Sequence, residues 1–312
     1  LWPVAASAQH ITANTPQTPV AGQDSASIAA RTDAAEHLTV PVLINGHGPF
    51  NMVVDTGAER SVISDTLAAA LNLPREQNVI VQGIIKAMTV GTVRAETLSF
   101  GPFKRDNVLL PVLPQATLAA DGYLGLDVIN GTRVTFDFKA RAVRIDQPHG
   151  YLPPDNPELE TRVSARGKAG RLQIVDCLVD SVASVAFIDT GAEVSVGNGA
   201  LLDALKSRRK VGLEVGGVTL TGVTGGEMQG DLISVGRIRL EELSFTDGIL
   251  AIADVPDFAT WDLQFRPAVL IGMNYLRQFA SVSVDYRAKL IRFELSLAPP
   301  NPRPGVVLRA LG

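Results

Sequence analysis

Apolar and polar positions alternate at strand period along most of the chain, with few helical stretches. Residues 37–44 and Phe50–Val54 read as two strands joined by the turn residues Asn45, Gly46, His47 and Gly48. Ser64 is a good N-cap for a short helix from Asp65 to Leu73, closed by Pro74. Residues 79–83 with 89–93, and 97–100 with 107–112, read as two hairpins. A strand then runs into Gly125 before a short helix, and residues 133–145 form a last hairpin. The second half repeats the order. Strands at 171–178 and 183–188 precede a helix from Gly199 to Lys206, a hairpin tip at 220–230, a strand into Gly272, and a hairpin at 281–293.

The two halves share a motif as well as an order of elements. Val53 and Val54 lead into Asp55-Thr56-Gly57-Ala58-Glu59-Arg60-Ser61-Val62, and Phe187 and Ile188 lead into Asp189-Thr190-Gly191-Ala192-Glu193-Val194-Ser195-Val196. The aspartates lie 134 positions apart, whereas Asp137 and Asp285 of the terminal hairpins lie 148 apart. The second half therefore carries a net insertion of 14 residues between these landmarks. Asp-Thr-Gly alone is ordinary turn chemistry. A shared continuation and a shared strand–Gly–helix step (Leu124-Gly125-Leu126-Asp127 and Ile271-Gly272-Met273-Asn274) argue for more than a turn. Two aspartates delivered by the same local geometry point to a paired-carboxylate site.

The bulk numbers narrow the field. A chain of 312 residues fits about two domains. Net charge is −4 with a pI of about 5.6, so nothing points to nucleic acid or an anionic membrane. Cys177 is the one cysteine, and the four histidines show no metal-ligand spacing, so neither metal nor cofactor is expected. No apolar run reaches the ~18–20 residues that span a bilayer. The start of the chain, ending in Ala6-Ser7-Ala8, has the pattern of a signal-peptidase site and predicts an exported protein. Residues 9–35 are rich in Thr, Pro, Gln, Ala and Ser and are expected to form a flexible leader. The expected division is 1–35 signal remnant and leader, 36–146 first lobe, 147–160 linker, 161–297 second lobe, and 298–312 Pro-rich tail.

The active-site loop around Asp55, repeated at Asp189, resembles that of the retropepsin-like aspartic proteases, in the form found in exported bacterial proteins, and the likeness spans both halves. The resemblance implies an all-β protein: two pseudo-twofold-related β-barrel lobes with short helices, and a cleft between them, in one chain. It implies an aspartic endopeptidase with Asp55 and Asp189 as the catalytic pair, acting on a polypeptide substrate, with a monomer sufficient for activity. Thr56 and Thr190 would tie the two loops together, and Gly57 and Gly191 would set amides against the carboxylates. Ala58 and Ala192 stand where pepsin-like enzymes usually have Ser or Thr, which predicts an optimum nearer mildly acidic or neutral pH than strongly acidic pH. The tips containing Gly83, Ile84, Ile85 and Met88, and Gly222, Val223, Gly225 and Gly226, would be flaps over the cleft. Met273 and Leu126 stand where viral members carry an arginine, and neither flap tip has the tyrosine common in pepsin-like flaps. Glu59 and Glu193 read equally as solvated loop charges or as substrate contacts. A catalytically silent peptide-binding module is the alternative. A serine or cysteine hydrolase fits poorly, since there is no Gly-x-Ser-x-Gly and Cys177 lies in an apolar strand.

Overall fold

A computed structural model describes residues 25–29, 31–32, 38–147, 159–168, 171–210 and 212–295. The Ala6–Ser7–Ala8 pattern, most of the expected linker and the Pro-rich tail lie outside the described residues. The protein is all-β, built from three sheets with six short helices among the described residues.

Two of the sheets are copies of each other. In the first, neighbouring strands run Arg31–Thr32, Leu38–Ile44, His47–Val54, Gly122–Leu124, Val62–Ser64, Phe103–Leu113, Ala87–Phe100 and Arg75–Gln82. In the second they run Arg166–Lys168, Arg171–Val179, Val182–Ile188, Ala268–Ile271, Val196–Gly197, Leu243–Ile252, Glu227–Leu240 and Glu214–Thr221. Each sheet folds back on itself: Leu38–Ile44 also pairs with Ala87–Phe100, and Arg171–Val179 with Glu227–Leu240. Matching elements have matching burial. The long strands Ala87–Phe100 and Glu227–Leu240 are each 14 residues and differ in burial class at a single position. Ala87–Phe100 merges residues 89–93 and 97–100, which the sequence pattern divides between two hairpins.

The third sheet belongs to both halves. Its order is Ser25–Ala29, Ala142–Asp146, Arg133–Asp137, Ser281–Asp285, Leu290–Glu294 and Glu160–Ser164. The terminal hairpins expected to close each lobe separately therefore pair with one another, through Arg133–Asp137 against Ser281–Asp285. The ladder puts Thr135 opposite Ser283, two positions equivalent in the duplication, and their hydroxyls are 2.9 Å apart. The pseudo-twofold axis passes between them. A continuous apolar core runs from Val40 and Phe100 through Phe136, Val282 and Phe293 to Ile238 and Leu250.

The sheet also corrects the expected leader and linker. Ser25–Ala29, placed in the flexible leader, is an edge strand along Ala142–Asp146, and Arg31–Thr32 pairs with Leu38–Ile44. Glu160, placed at the end of the linker, begins a strand against Leu290–Glu294. An open edge supplies backbone partners to a segment too polar to order itself, a contribution that composition does not reveal.

The helices behave as their caps dictate. Ser64 Oγ accepts from the Leu67 amide and starts Asp65–Ala70, which ends before the expected Leu73. Asn198 Oδ1 accepts from the Leu201 amide and starts Gly199–Ser207. Nine of the 14 extra residues of the second lobe lie in this longer helix, the chain that follows it, and the connection 261–267, which is longer than its counterpart 119–121. Among the described residues no helix is long and apolar enough to cross a membrane.

Candidate active site between the lobes

Each strand that leads to an aspartate is flanked in parallel by the strand before the second glycine: His47–Val54 by Gly122–Leu124, and Val182–Ile188 by Ala268–Ile271. The Asp55 amide donates to Leu124 O and the Asp189 amide to Ile271 O, each at 3.0 Å. The loops beyond are stitched to the glycine–helix step. Leu126 N donates to Ala58 O and Met273 N to Ala192 O, at 2.9 and 2.8 Å. Ser61 Oγ accepts from Gly125 N while donating to Asp127 Oδ1, and Ser195 Oγ accepts from Gly272 N while donating to Asn274 Oδ1. The Ser61 and Ser195 amides donate to the same Asp127 and Asn274 oxygens. Burial raises the Asp127 carboxyl above its ordinary range, while the Ser61 donors oppose that rise. Asp127 and Asn274 thus hold the aspartate loops to the glycine–helix step of their own lobe. Sequence reasoning assigned no role to these four residues, although the shared Ser and the Asp/Asn one place after the Gly-x step carried the signal.

The two loops meet at a threonine lattice. The Thr56 amide donates to Thr190 Oγ1 and the Thr190 amide to Thr56 Oγ1, both at 3.1 Å. Thr56 Oγ1 donates to Ile188 O and Thr190 Oγ1 to Val54 O, at 2.9 and 2.8 Å. Both threonines are buried. Each side chain therefore binds the backbone just ahead of the opposite aspartate.

The lattice brings each carboxyl against the other loop. A Cβ on Gly57 would lie 2.7 Å from Asp189 Oδ1, and one on Gly191 would lie 2.5 Å from Asp55 Oδ2. The glycines are required by this mutual approach as well as by the amides they supply. Gly57 N and Ala58 N donate to Asp55 Oδ1, and Gly191 N donates to Asp189 Oδ1. Burial, then the Asp55 charge, pushes the Asp189 carboxyl up to about 7. Two like charges this close oppose each other's ionisation, which adds to the rise. Burial also raises the Tyr286 hydroxyl, with the charges of Asp55 and Asp189 adding to the rise.

The hairpin tips expected as flaps meet each other. Thr224 Oγ1 donates to Lys86 O at 2.8 Å, and Gly83 packs too closely on Thr224 to leave room for a side chain. Gly222 lies against Ile84 and Ile85. Each tip also reaches into the opposite lobe. Ile84 packs on the second-lobe cluster of Phe187, Phe258, Trp261 and Leu270, and Val223 packs on the first-lobe cluster of Val53, Leu113, Leu118 and Tyr123. Thr117 Oγ1 donates to Val223 O at 2.7 Å. Gly225 and Gly226, at φ 76° and 87°, form the turn at the second tip. Met88 lies behind the first tip, half-buried against the first-lobe cluster.

Residues 40–128 match the model of a family described as aspartyl protease. The matched segment holds the Asp55 loop, the first hairpin tip and the strand–Gly–helix step, and it stops short of the second lobe. No curated protein matches the chain. The aspartyl protease match gives the Asp55 loop its chemical context, and the symmetry of the two eight-stranded sheets extends the same geometry to Asp189.

Three residues near the pair were not singled out in the sequence. Arg171 Nη2 pairs with Glu59 across the lobes at 2.9 Å. The Arg171 guanidinium lies over the Trp261 ring, 4.7 Å from its centroid. Asp257, half-buried on the helix just before Trp261, is pushed up to about 6 by burial, against the pull of Arg171 and with the charges of Asp55 and Glu59 adding. Glu59 is thus an ion-paired residue at the lobe boundary. Cys177 is buried, and burial pushes its thiol up to about 12, which makes it an unreactive core residue.

Proposed function

We propose that the protein is an aspartic endopeptidase whose catalytic pair is Asp55 and Asp189. The observation that carries this reading is the mutual approach of the two carboxyls, each against the glycine of the other's loop. The aspartyl protease match over residues 40–128 supports it. One carboxylate of the pair takes a proton from a water molecule, which attacks the substrate carbonyl. The other, protonated, donates to the carbonyl oxygen, and the roles exchange as the amine leaves. A proton shared between two carboxyls in this way is the general device of aspartic proteases.

An extended peptide would lie between the loops and the tips, pairing with backbone by strand addition. The tips at Gly83–Met88 and Gly222–Met228 would act as flaps, lifting Ile84 and Val223 out of the two apolar clusters to admit it. Residues 36–146 and 161–297 would act as the two halves of one site, so that a single chain suffices. An exported setting, in a bacterial periplasm or beyond it, follows the Ala6–Ser7–Ala8 pattern.

The test is cleavage of a mixed peptide library by the wild-type protein and by Asp55→Asn and Asp189→Asn. Cleavage by the wild type and its loss in both variants is the expected result. Peptide binding without cleavage by the wild type would instead identify a silent binding module.

A further inference from the structure

The two lobes differ most at the connection 261–267, which begins with Trp261, a residue that lines the same small cavity as Asp189. Trp261 is buried against Phe187, with ring centroids 4.6 Å apart. Together with Arg171 it lines a small cavity that also touches Thr56, Gly57 and Asp189. Arg171 spends Nη2 on Glu59. Its Nε and the indole Nε1 of Trp261 are both buried and have no acceptor. A buried donor left unanswered costs about 1–3 kcal/mol, so two of them on residues that line one cavity mark a place where a ligand supplies the acceptor. The first lobe has no equivalent, since its shorter connection offers only Ala119, Ala120 and Asp121.

The charges around the cavity decide which acceptor fits. Arg171 is already balanced by Glu59, Asp189 lines the same cavity, and Asp257 lies near enough to feel the Arg171 charge. A carboxylate would be repelled. A hydrocarbon would leave both donors unmet. A carboxamide offers a neutral oxygen to the unanswered donors of Arg171 and Trp261.

We propose that Arg171 and Trp261 form a specificity subsite for a carboxamide side chain, glutamine or asparagine, of the polypeptide substrate. The inference rests on the endopeptidase reading. Ile84 packs on the same cluster as Trp261 in the closed form, so the subsite opens as the first tip lifts. The second-lobe side of the cleft then selects for a polar residue, whereas the first-lobe side, with Leu118 and Tyr123, selects for an apolar one.

The test compares kcat/KM on matched peptides that carry Gln, Leu, Met or Glu at one position at a time. At one position on one side of the cut, Gln is expected to exceed Leu and Glu by about tenfold, the yield of two charge-assisted or buried donors finding an acceptor. Trp261→Phe keeps the ring and loses the donor, and Arg171→Lys keeps the charge beside Glu59 and loses Nε. Each is expected to bring that ratio to within about twofold, whereas Phe265→Ser, on the same connection but exposed, leaves it unchanged. No Gln preference in the wild type, or a preference that survives both variants, overturns the proposal. The same peptides titrated onto the Asp55→Asn protein separate the two readings. If the wild type cuts nothing, the endopeptidase reading fails, and the ratio of Kd values for Gln and Leu peptides alone upholds or overturns the subsite. If Trp261→Phe does not fold, Arg171→Lys decides.

Discussion

Arg133 donates to Asp285 Oδ2 through Nε and Nη2, at 2.9 and 2.6 Å, with both side chains almost fully buried in the sheet shared by the lobes. The twofold mates of these residues are Ser281 and Asp137, which face each other in the same ladder without an arginine. The pair thus marks one side of an otherwise symmetric seam. Asp285 Oδ1 further accepts from the amides of Arg287 and Ala288, so its carboxylate is fully engaged.

Removing Arg133 strands a buried carboxylate. Arg133→Met is expected to lower unfolding free energy by about 3–5 kcal/mol. Arg133→Met with Asp285→Asn should cost less than Arg133→Met alone. Urea unfolding curves check both, and a single-variant loss under about 1 kcal/mol, the range of exposed pairs, would contradict the prediction.

On the endopeptidase reading, the raised Asp189 carboxyl sets the pH response of activity. One protonated and one ionised member are needed together, and the pair keeps its proton toward about 7. The kcat/KM profile is expected to be bell-shaped, with activity persisting at about pH 6 and falling above neutrality. A profile already extinguished by about pH 5, close to ordinary carboxyl values, would contradict it.

The same shift affects stability with the opposite sense from a salt-bridged acid. A carboxyl whose folded pKa lies above its unfolded value binds more protons when folded. Its contribution is present at low pH and lost as pH rises through the folded value. Asp189→Asn is therefore expected to raise Tm relative to wild type at about pH 8, with the gap closing near about pH 4. Equal gaps at both pH values in scanning calorimetry would count against the shift.

Gly57→Ala would drive a methyl group into the Asp189 carboxyl. Gly191→Ala would do the same to Asp55. Each is expected to reduce kcat by about 100-fold or more, as misplacement near 1 Å does, while costing only about 1–3 kcal/mol of stability as an overpacked contact. Activity and Tm measured on the same preparations check the separation.

Thr224→Val removes the donor that ties the second tip to Lys86 O and keeps nearly the same volume. A single hydrogen bond is worth about 0.5–1.5 kcal/mol. Amide exchange at residues 83–88 and 222–226 should accelerate several-fold, with exchange in Ala268–Ile271 unchanged.

Much of this organisation was readable in the chain. The Asp55 and Asp189 loops, the Ser64 cap and the strand-to-glycine steps are local signals, and local signals survive without tertiary context. The 148-residue register between the terminal hairpins also held the place of the axis, but nothing local says that Thr135 should meet Ser283. Partner choice between strands of like composition is a tertiary decision. The strand at Ser25–Ala29 escaped for the same reason: its backbone partners lie on Ala142–Asp146, more than a hundred residues on. Trp261 and Arg171 were invisible because they lie 90 residues apart and come together only through the longer connection of the second lobe.

The shared sheet has a consequence for synthesis. Strand Arg133–Asp137 leaves the ribosome early, yet its neighbour Ser281–Asp285 is made about 150 residues later. At roughly 5–20 residues per second, the first half waits on the order of ten seconds or more with an unfilled ladder beside Thr135. A carboxyl pair built from loops 134 positions apart, braced by a sheet that needs residue 285, cannot form on a nascent chain. The arrangement is in effect a timer: the two carboxyls meet only when the chain is nearly complete.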